Sequence, residues 1–204
     1  MRSIHDGTSY AMHQPESPMR SIPDGISCAM LKISFLPARF DGTGGGLTLS
    51  PRGDNQCPLY IGQDSMGKPG IPVILSHWLS TVDYIYETED LTIKMDVNAT
   101  TCAQPTYWSV SAPGTFIEPV FMAAGLKPSN GSFQIKKTEG GIGSYKIMFC
   151  PTTGEDCVDV GIFVDRADGV RRLALSFAPF LRPFEFVFVK ATGTETSSKT
   201  LSII

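Results

Sequence analysis

The stretch 145-YKIMFCPTTGEDCVDVGIFVDRADGVRRLALS-176 carries three short strand-like runs, YKIMFC from 145, DVGIFVD from 159 and RRLALS from 171. Each shows apolar alternation or enrichment in β-branched and aromatic side chains, which suits a pleated surface with one buried face. The breaks between them hold Gly or Pro, so no run is long enough for an amphipathic helix.

The same texture extends outward along the chain. LTLS at 47, PLYIG at 58, PVILS at 72, LTIKMDV at 91, YWSVS at 107, FQIKK at 133 and FEFVFVKA at 184 are all short and β-like. Only AAGL at 123 has a mildly helical composition. Twenty Gly and fifteen Pro punctuate the 204 residues, and many short strands at near-regular spacing predict an all-β sandwich or barrel.

Composition narrows the function. The chain is 42% hydrophobic and 18% charged, which suits one soluble globular domain with a sizeable core. With 17 Lys+Arg against 20 Asp+Glu there is no basic excess to neutralise phosphates, so nucleic acid is not an expected partner. Apolar runs such as FVFV at 186 are strand-sized and far short of the roughly 20 residues of a spanning helix, so neither is a membrane.

The five cysteines are Cys28, Cys57, Cys102, Cys150 and Cys157. In CPTTGEDC a short disulfide could close the hydrophilic loop between Cys150 and Cys157. Zinc is disfavoured, because no second close Cys pair exists and the histidines are only His5, His13 and His77. Pairing Cys57 with Cys102 would close a loop of 102 − 57 = 45 residues, worth about 4 kcal/mol in the chain-entropy model. Cys28 is left over, either free or able to cross-link chains. Two N-x-[ST] sequons, at Asn98 and Asn130, are candidate glycosylation sites and agree with an oxidising compartment. No metal or cofactor is expected.

An enzyme is not expected either. A Ser-His-Asp arrangement needs a histidine base, and the strand-rich body contains only His77, beside Trp78, where a turn is expected and a surface or packing role is the simpler assignment. DGTGGG at 41 lacks the helix that phosphate-binding loops place behind their glycines. Its order, Asp-Gly-Thr, also differs from the Asp-Thr-Gly of aspartic proteases, so the glycines are expected to give backbone freedom to a turn.

Taken in order, LPARFDGTGGGLTLSPRGDNQCPLYIGQ, GIPV, LTIKM, Cys102 followed by YWSV, FQIKK, the opening stretch and FEFVFVKA resemble the plant Kunitz-type (soybean trypsin inhibitor) protease inhibitor family. The resemblance runs from about residue 31 to 191. It implies a β-trefoil, a six-stranded barrel capped by three hairpins, with disulfides Cys57–Cys102 and Cys150–Cys157. It also implies a secreted or vacuolar location, a monomer unless Cys28 cross-links it, and an endopeptidase partner: a serine protease first, a cysteine or aspartic protease second. The Gln-x-Trp repeats of ricin-type sugar binders are absent, which weakens a carbohydrate-binding trefoil.

The amino end departs from the family. MRSIHDGTSYAM at 1–12 returns as MRSIPDGISCAM at 19–30, and residues 1–18 are expected to be a disordered extension. No basic start with an apolar run of signal-peptide length is visible there. Within the domain, 19–191, LKISF would serve as the second strand, while MRSI makes a poor first one and would leave one barrel edge loosely closed. The asparagine that supports the family's binding loop aligns with Ala29. Residues 192–204 are expected to be a flexible tail.

In this family the protease-binding loop lies between the strand after GIP and LTIKM, here about residues 77–84. Such a loop enters the protease cleft as a substrate would, and its rigidity limits the ordering cost of binding. The resemblance places the P1 residue near Thr81, within a reactive loop of Trp78, Leu79, Ser80, Thr81, Val82 and Asp83. None of these is Arg or Lys, which the aspartate in trypsin's S1 pocket demands, so trypsin is disfavoured, whereas Trp78 or Leu79 suits an apolar pocket. The alternative is a non-inhibitory storage, taste-modifying or stress-induced protein that keeps the scaffold without the loop.

Overall fold

The computed structural model describes residues 31–38, 44–64, 67–77, 85–110, 119–139, 143–175 and 182–191. The expectations for residues 1–18, MRSI, Cys28, Ala29 and 192–204 fall outside them.

Among the described residues twelve strands follow one another: β1 (Leu31–Pro37), β2 (Leu47–Arg52), β3 (Asn55–Gln63), β4 (Val73–His77), β5 (Leu91–Met95), β6 (Tyr107–Val110), β7 (Val120–Gly125), β8 (Gly131–Lys137), β9 (Tyr145–Pro151), β10 (Val158–Val164), β11 (Arg171–Leu175) and β12 (Phe186–Lys190). Antiparallel pairing runs β1–β4–β5–β8–β9–β12 and returns to β1, which closes a six-stranded barrel. The other six strands form three hairpins, β2–β3, β6–β7 and β10–β11, whose second strands pair with one another. Barrel plus triangular cap is a β-trefoil, with β1–β4, β5–β8 and β9–β12 as its three repeats.

Two expectations are corrected. LKISF is β1, the first of the twelve described strands of the trefoil; it pairs with β4 through Leu31–Ile33 and with β12 through Ile33–Pro37, so the barrel is closed at this edge. AAGL contributes Ala123, Ala124 and Gly125 to β7, not to a helix. Alanine's helical preference amounts to tenths of a kcal/mol, and it is overridden by backbone pairing of β7 with β6, β3 and β11.

Alternation places the core. In β9, Tyr145, Ile147 and Phe149 point inward while Lys146, Met148 and Cys150 are partly exposed. Phe35 packs 4.2 Å from Phe186 and edge-on to Trp108 at 6.2 Å, and Trp108 in turn meets Phe133 edge-on at 5.9 Å. Edge-to-face contacts of this kind match ring quadrupoles. The indole of Trp108 is fully buried, and its Nε1–H finds Met95 Sδ at 3.2 Å.

A charge cluster fastens the cap. Arg172, on β11 and fully buried, donates to both carboxylate oxygens of Asp168 at 2.6 Å, to Asp165 at 3.1 Å and to the carbonyl of Pro51 on β2 at 2.6 Å. Arg52 donates to Asp165 at 2.6 Å and lies 4.5 Å from the ring centre of Phe121 on β7, so two guanidiniums link all three hairpins. Hydrogen bonds from Arg172 hold the Asp168 carboxyl far below the usual carboxylate range. Burial pushes Asp165 up, but hydrogen bonds from Arg52 and the Ala167 amide, with the charges of Arg52 and Arg172, outweigh it and the net shift is down.

In DGTGGG the described glycines are Gly44, Gly45 and Gly46. Gly46 is required by close approach, because a Cβ there would strike the Pro69 carbonyl and Gly70, whose own φ is +73°. Ladder bonds Gly46 N–H to Lys68 O at 2.8 Å and Ile71 N–H to Leu47 O at 2.7 Å hold these two backbones together.

Candidate functional site

The hairpin β4–β5 pairs Val73 with Met95 through to His77 with Leu91, and Val73, Leu75, Leu91, Ile93 and Met95 are all buried in the barrel. Its connection runs from 78 to 90. Trp78, Leu79, Ser80, Thr81, Val82 and Asp83 lie in residues 78–84, outside the described residues. The two stems that hold this segment are described, and they are well anchored.

The outgoing stem ends at His77, a strand residue and not the turn residue expected, with a side chain 8% exposed and Nδ1 3.6 Å from Glu89 Oε2. The returning stem, 85–90, begins with Ile85 packed against the core. Its amide hydrogens and acids then engage β8. Thr88 N–H donates to Ile135 O at 3.0 Å, continuing the β5–β8 pairing that starts at Leu91 and Phe133. Beyond that point the ladder lacks a backbone acceptor, and the Glu87 carboxylate takes its place, accepting from Lys137 N–H at 3.0 Å.

Asp90 accepts from Ser132 Oγ at 2.7 Å and from Gln134 Nε2 at 3.1 Å, both on β8, the first buried and the second partly exposed. Glu89 accepts from Tyr86 N–H at 3.1 Å, closing a tight turn in which Thr88 has φ +63°. That is an unusual conformation for a β-branched residue. Close by, burial pushes the Tyr145 phenol above its ordinary range and the negative charge of Glu87 adds to the effect.

Cys57–Cys102 joins β3 to the segment after β5, and Cys150–Cys157 closes the β9–β10 turn, with Cα separations of 5.7 and 4.2 Å. Both sequon asparagines, Asn98 and Asn130, are exposed, and Asn130 Nδ2 donates to Val110 O at 3.2 Å.

Residues 32–190 match the Kunitz legume family model, described as trypsin and protease inhibitor. The chain belongs to the Kunitz trypsin and protease inhibitor family. Among Kunitz relatives, Kunitz trypsin inhibitor 4 of Arabidopsis thaliana is 44% identical over 172 residues, covering 78% of this chain and 77% of the relative. Trypsin inhibitor BvTI of Bauhinia variegata is 32% identical over 142 residues, 69% and 78% of the two chains. A Kunitz type trypsin inhibitor from Cicer arietinum superposes with TM-score 0.67 at 29% identity, covering 79% of this chain and 92% of that one. Soybean trypsin inhibitor in complex with porcine pancreatic trypsin gives TM-score 0.64 at 27% identity, with the same coverage.

Sequence reasoning missed Glu87, Glu89 and Asp90 as structural acids of this Kunitz domain. The β8 partners of Glu87 and Asp90 lie 42 to 50 positions away, and Glu89 only caps the Tyr86 amide and faces His77, so nothing local distinguishes the three from a solvated turn. The one available signal was density: three acids in the four residues 87-ETED-90, directly before a strand.

Proposed function

We propose that this chain inhibits a serine protease by inserting the β4–β5 loop, residues 78–84, into the cleft, and that its target takes an apolar P1 side chain. The observation that carries this is a loop of Kunitz position, WLSTVDY, without Arg or Lys, flanked by stems fixed to the barrel. Fixed ends reduce the conformational freedom lost on binding. Soybean trypsin inhibitor, the relative crystallised with trypsin, supports a serine protease as partner. Leu79, two residues from Thr81 and beside Trp78, is the apolar P1 side chain for such a pocket, and an aspartate-lined one has no cation to bind here.

Two disulfides favour an oxidising compartment, which supports a secreted or vacuolar site of action and makes exposed Asn98 and Asn130 available for glycosylation. Incubation with trypsin, chymotrypsin and subtilisin, followed by mass spectrometry, tests the function. Stoichiometric inhibition of a protease with an apolar S1 pocket, with slow cleavage of one bond between residues 77 and 85, is expected. A chain that inhibits none of them and is degraded at many bonds would be a non-inhibitory scaffold.

A further inference from the structure

The geometry points to Glu87 and Asp90 as positioning residues of the inhibitory loop, clasping its returning stem to β8; this rests on the function proposed above. Each makes contacts that only an acceptor at that place supplies. Lys137 N–H lies past the last backbone bond between the stem and β8, and Glu87 Oε2 receives it at 3.0 Å. Asp90 Oδ1 is shared by Ser132 Oγ and Gln134 Nε2, side chains two residues apart on one face of β8. Between these two acids, Thr88 N–H bonds Ile135 O.

The stem is thus held at three successive points along β8 before the chain leaves for residue 84. Glu89 ties the same stem to its own Tyr86 amide and faces His77 on β4, which brings both ends of the loop under one set of contacts. Charged acceptors make the stronger hydrogen bonds. Of these residues Ser132 is buried, while Glu87, Asp90, Gln134 and Lys137 are partly or fully exposed, so water can replace most lost partners and the clasp matters less to global stability than to where the loop ends sit. A substrate-like inhibitor depends on that: loop ends held in place keep a cleaved bond aligned for resealing and make the intact loop a poor substrate.

The test uses Glu87→Ala, Asp90→Ala and the double variant, with Glu87→Gln and Asp90→Asn as controls that keep an acceptor oxygen. All are made in the native chain and in a Thr81→Arg background, which supplies a trypsin-compatible P1. Loop cleavage rate, inhibition constant, melting temperature and hydrogen exchange of residues 84–90 are read together. The alanine double variant is expected to raise loop cleavage and the inhibition constant about tenfold each, equal to about 1.4 kcal/mol. Stem amides should exchange faster, the melting point should barely move, and the amide controls should recover much of the loss.

Unchanged cleavage and exchange in the double variant would overturn the clasp, even where inhibition is seen. Faster exchange and cleavage with no inhibition by any form would keep the clasp and overturn the inhibitory function. Equal losses in the alanine and amide variants would overturn the acceptor role.

Discussion

Replacing Arg172 by Met tests whether the buried guanidinium is what joins the cap hairpins. Methionine keeps much of the aliphatic volume and removes the hydrogen bonds to Asp165, Asp168 and the Pro51 carbonyl. Removing one partner of a buried ion pair costs about 3–5 kcal/mol, because the other charge stays buried. The lower end applies, since Asp165 retains Arg52 at 2.6 Å and the Asp168 side chain is 24% exposed to water.

For a domain of this size about 3 kcal/mol lowers the melting point by about 6 to 12 °C. The loss depends on pH with a definite sign. Both carboxyls titrate below their unfolded value in the native fold, so their contribution is complete above about pH 4 and drains away as pH falls further. The variant has less to lose in that range. Urea unfolding at pH 7 and pH 2.5, with disulfides intact, should show a gap between the two proteins that is about 3 kcal/mol at pH 7 and much smaller in acid. A gap under about 1 kcal/mol at pH 7, or one of equal size at both pH values, would refute the reasoning.

Two further outcomes follow from the same structure. Converting Cys57 and Cys102 to Ser should cost about 4 kcal/mol and converting Cys150 and Cys157 about 2 kcal/mol, from closed loops of 45 and 7 residues, measured by chemical denaturation; equal losses would contradict the loop-length account. Tyr145, whose phenol is raised by burial and by Glu87, favours the neutral form in the fold. Stability should therefore hold below about pH 10 and fall above it, with a smaller alkaline loss in Glu87→Gln; an identical loss in both proteins would count against that contact.

Much of the barrel was legible because its strands alternate in sequence: β9 buries every second side chain, and β5 buries Leu91, Ile93 and Met95, with Thr92 buried besides. β7 was not, since VFMAAG is buried at four consecutive positions and its strand character comes from neighbours on three hairpins. The order of strands at the amino end was misjudged because LKISF reads as a strand without revealing that it has β12 as one partner, some 150 residues later. The loop's position and its missing basic residue came from family resemblance, while its anchoring acids became visible only when β8 was placed beside them. Gly46 shows the same limit from another side. Sequence gives a glycine, and only the packed backbone of Pro69 and Gly70 says why.

The most direct measurement of the central claim is a paired inhibition assay of the native chain and Thr81→Arg against chymotrypsin and trypsin, with mass spectrometry of the 77–85 segment. The native chain should inhibit chymotrypsin far better than trypsin, and Thr81→Arg should gain trypsin inhibition by several orders of magnitude while moving the cleaved bond to residue 81. Strong trypsin inhibition by the native chain, or no gain on placing Arg at 81, would contradict the assignment of this loop as the inhibitory site.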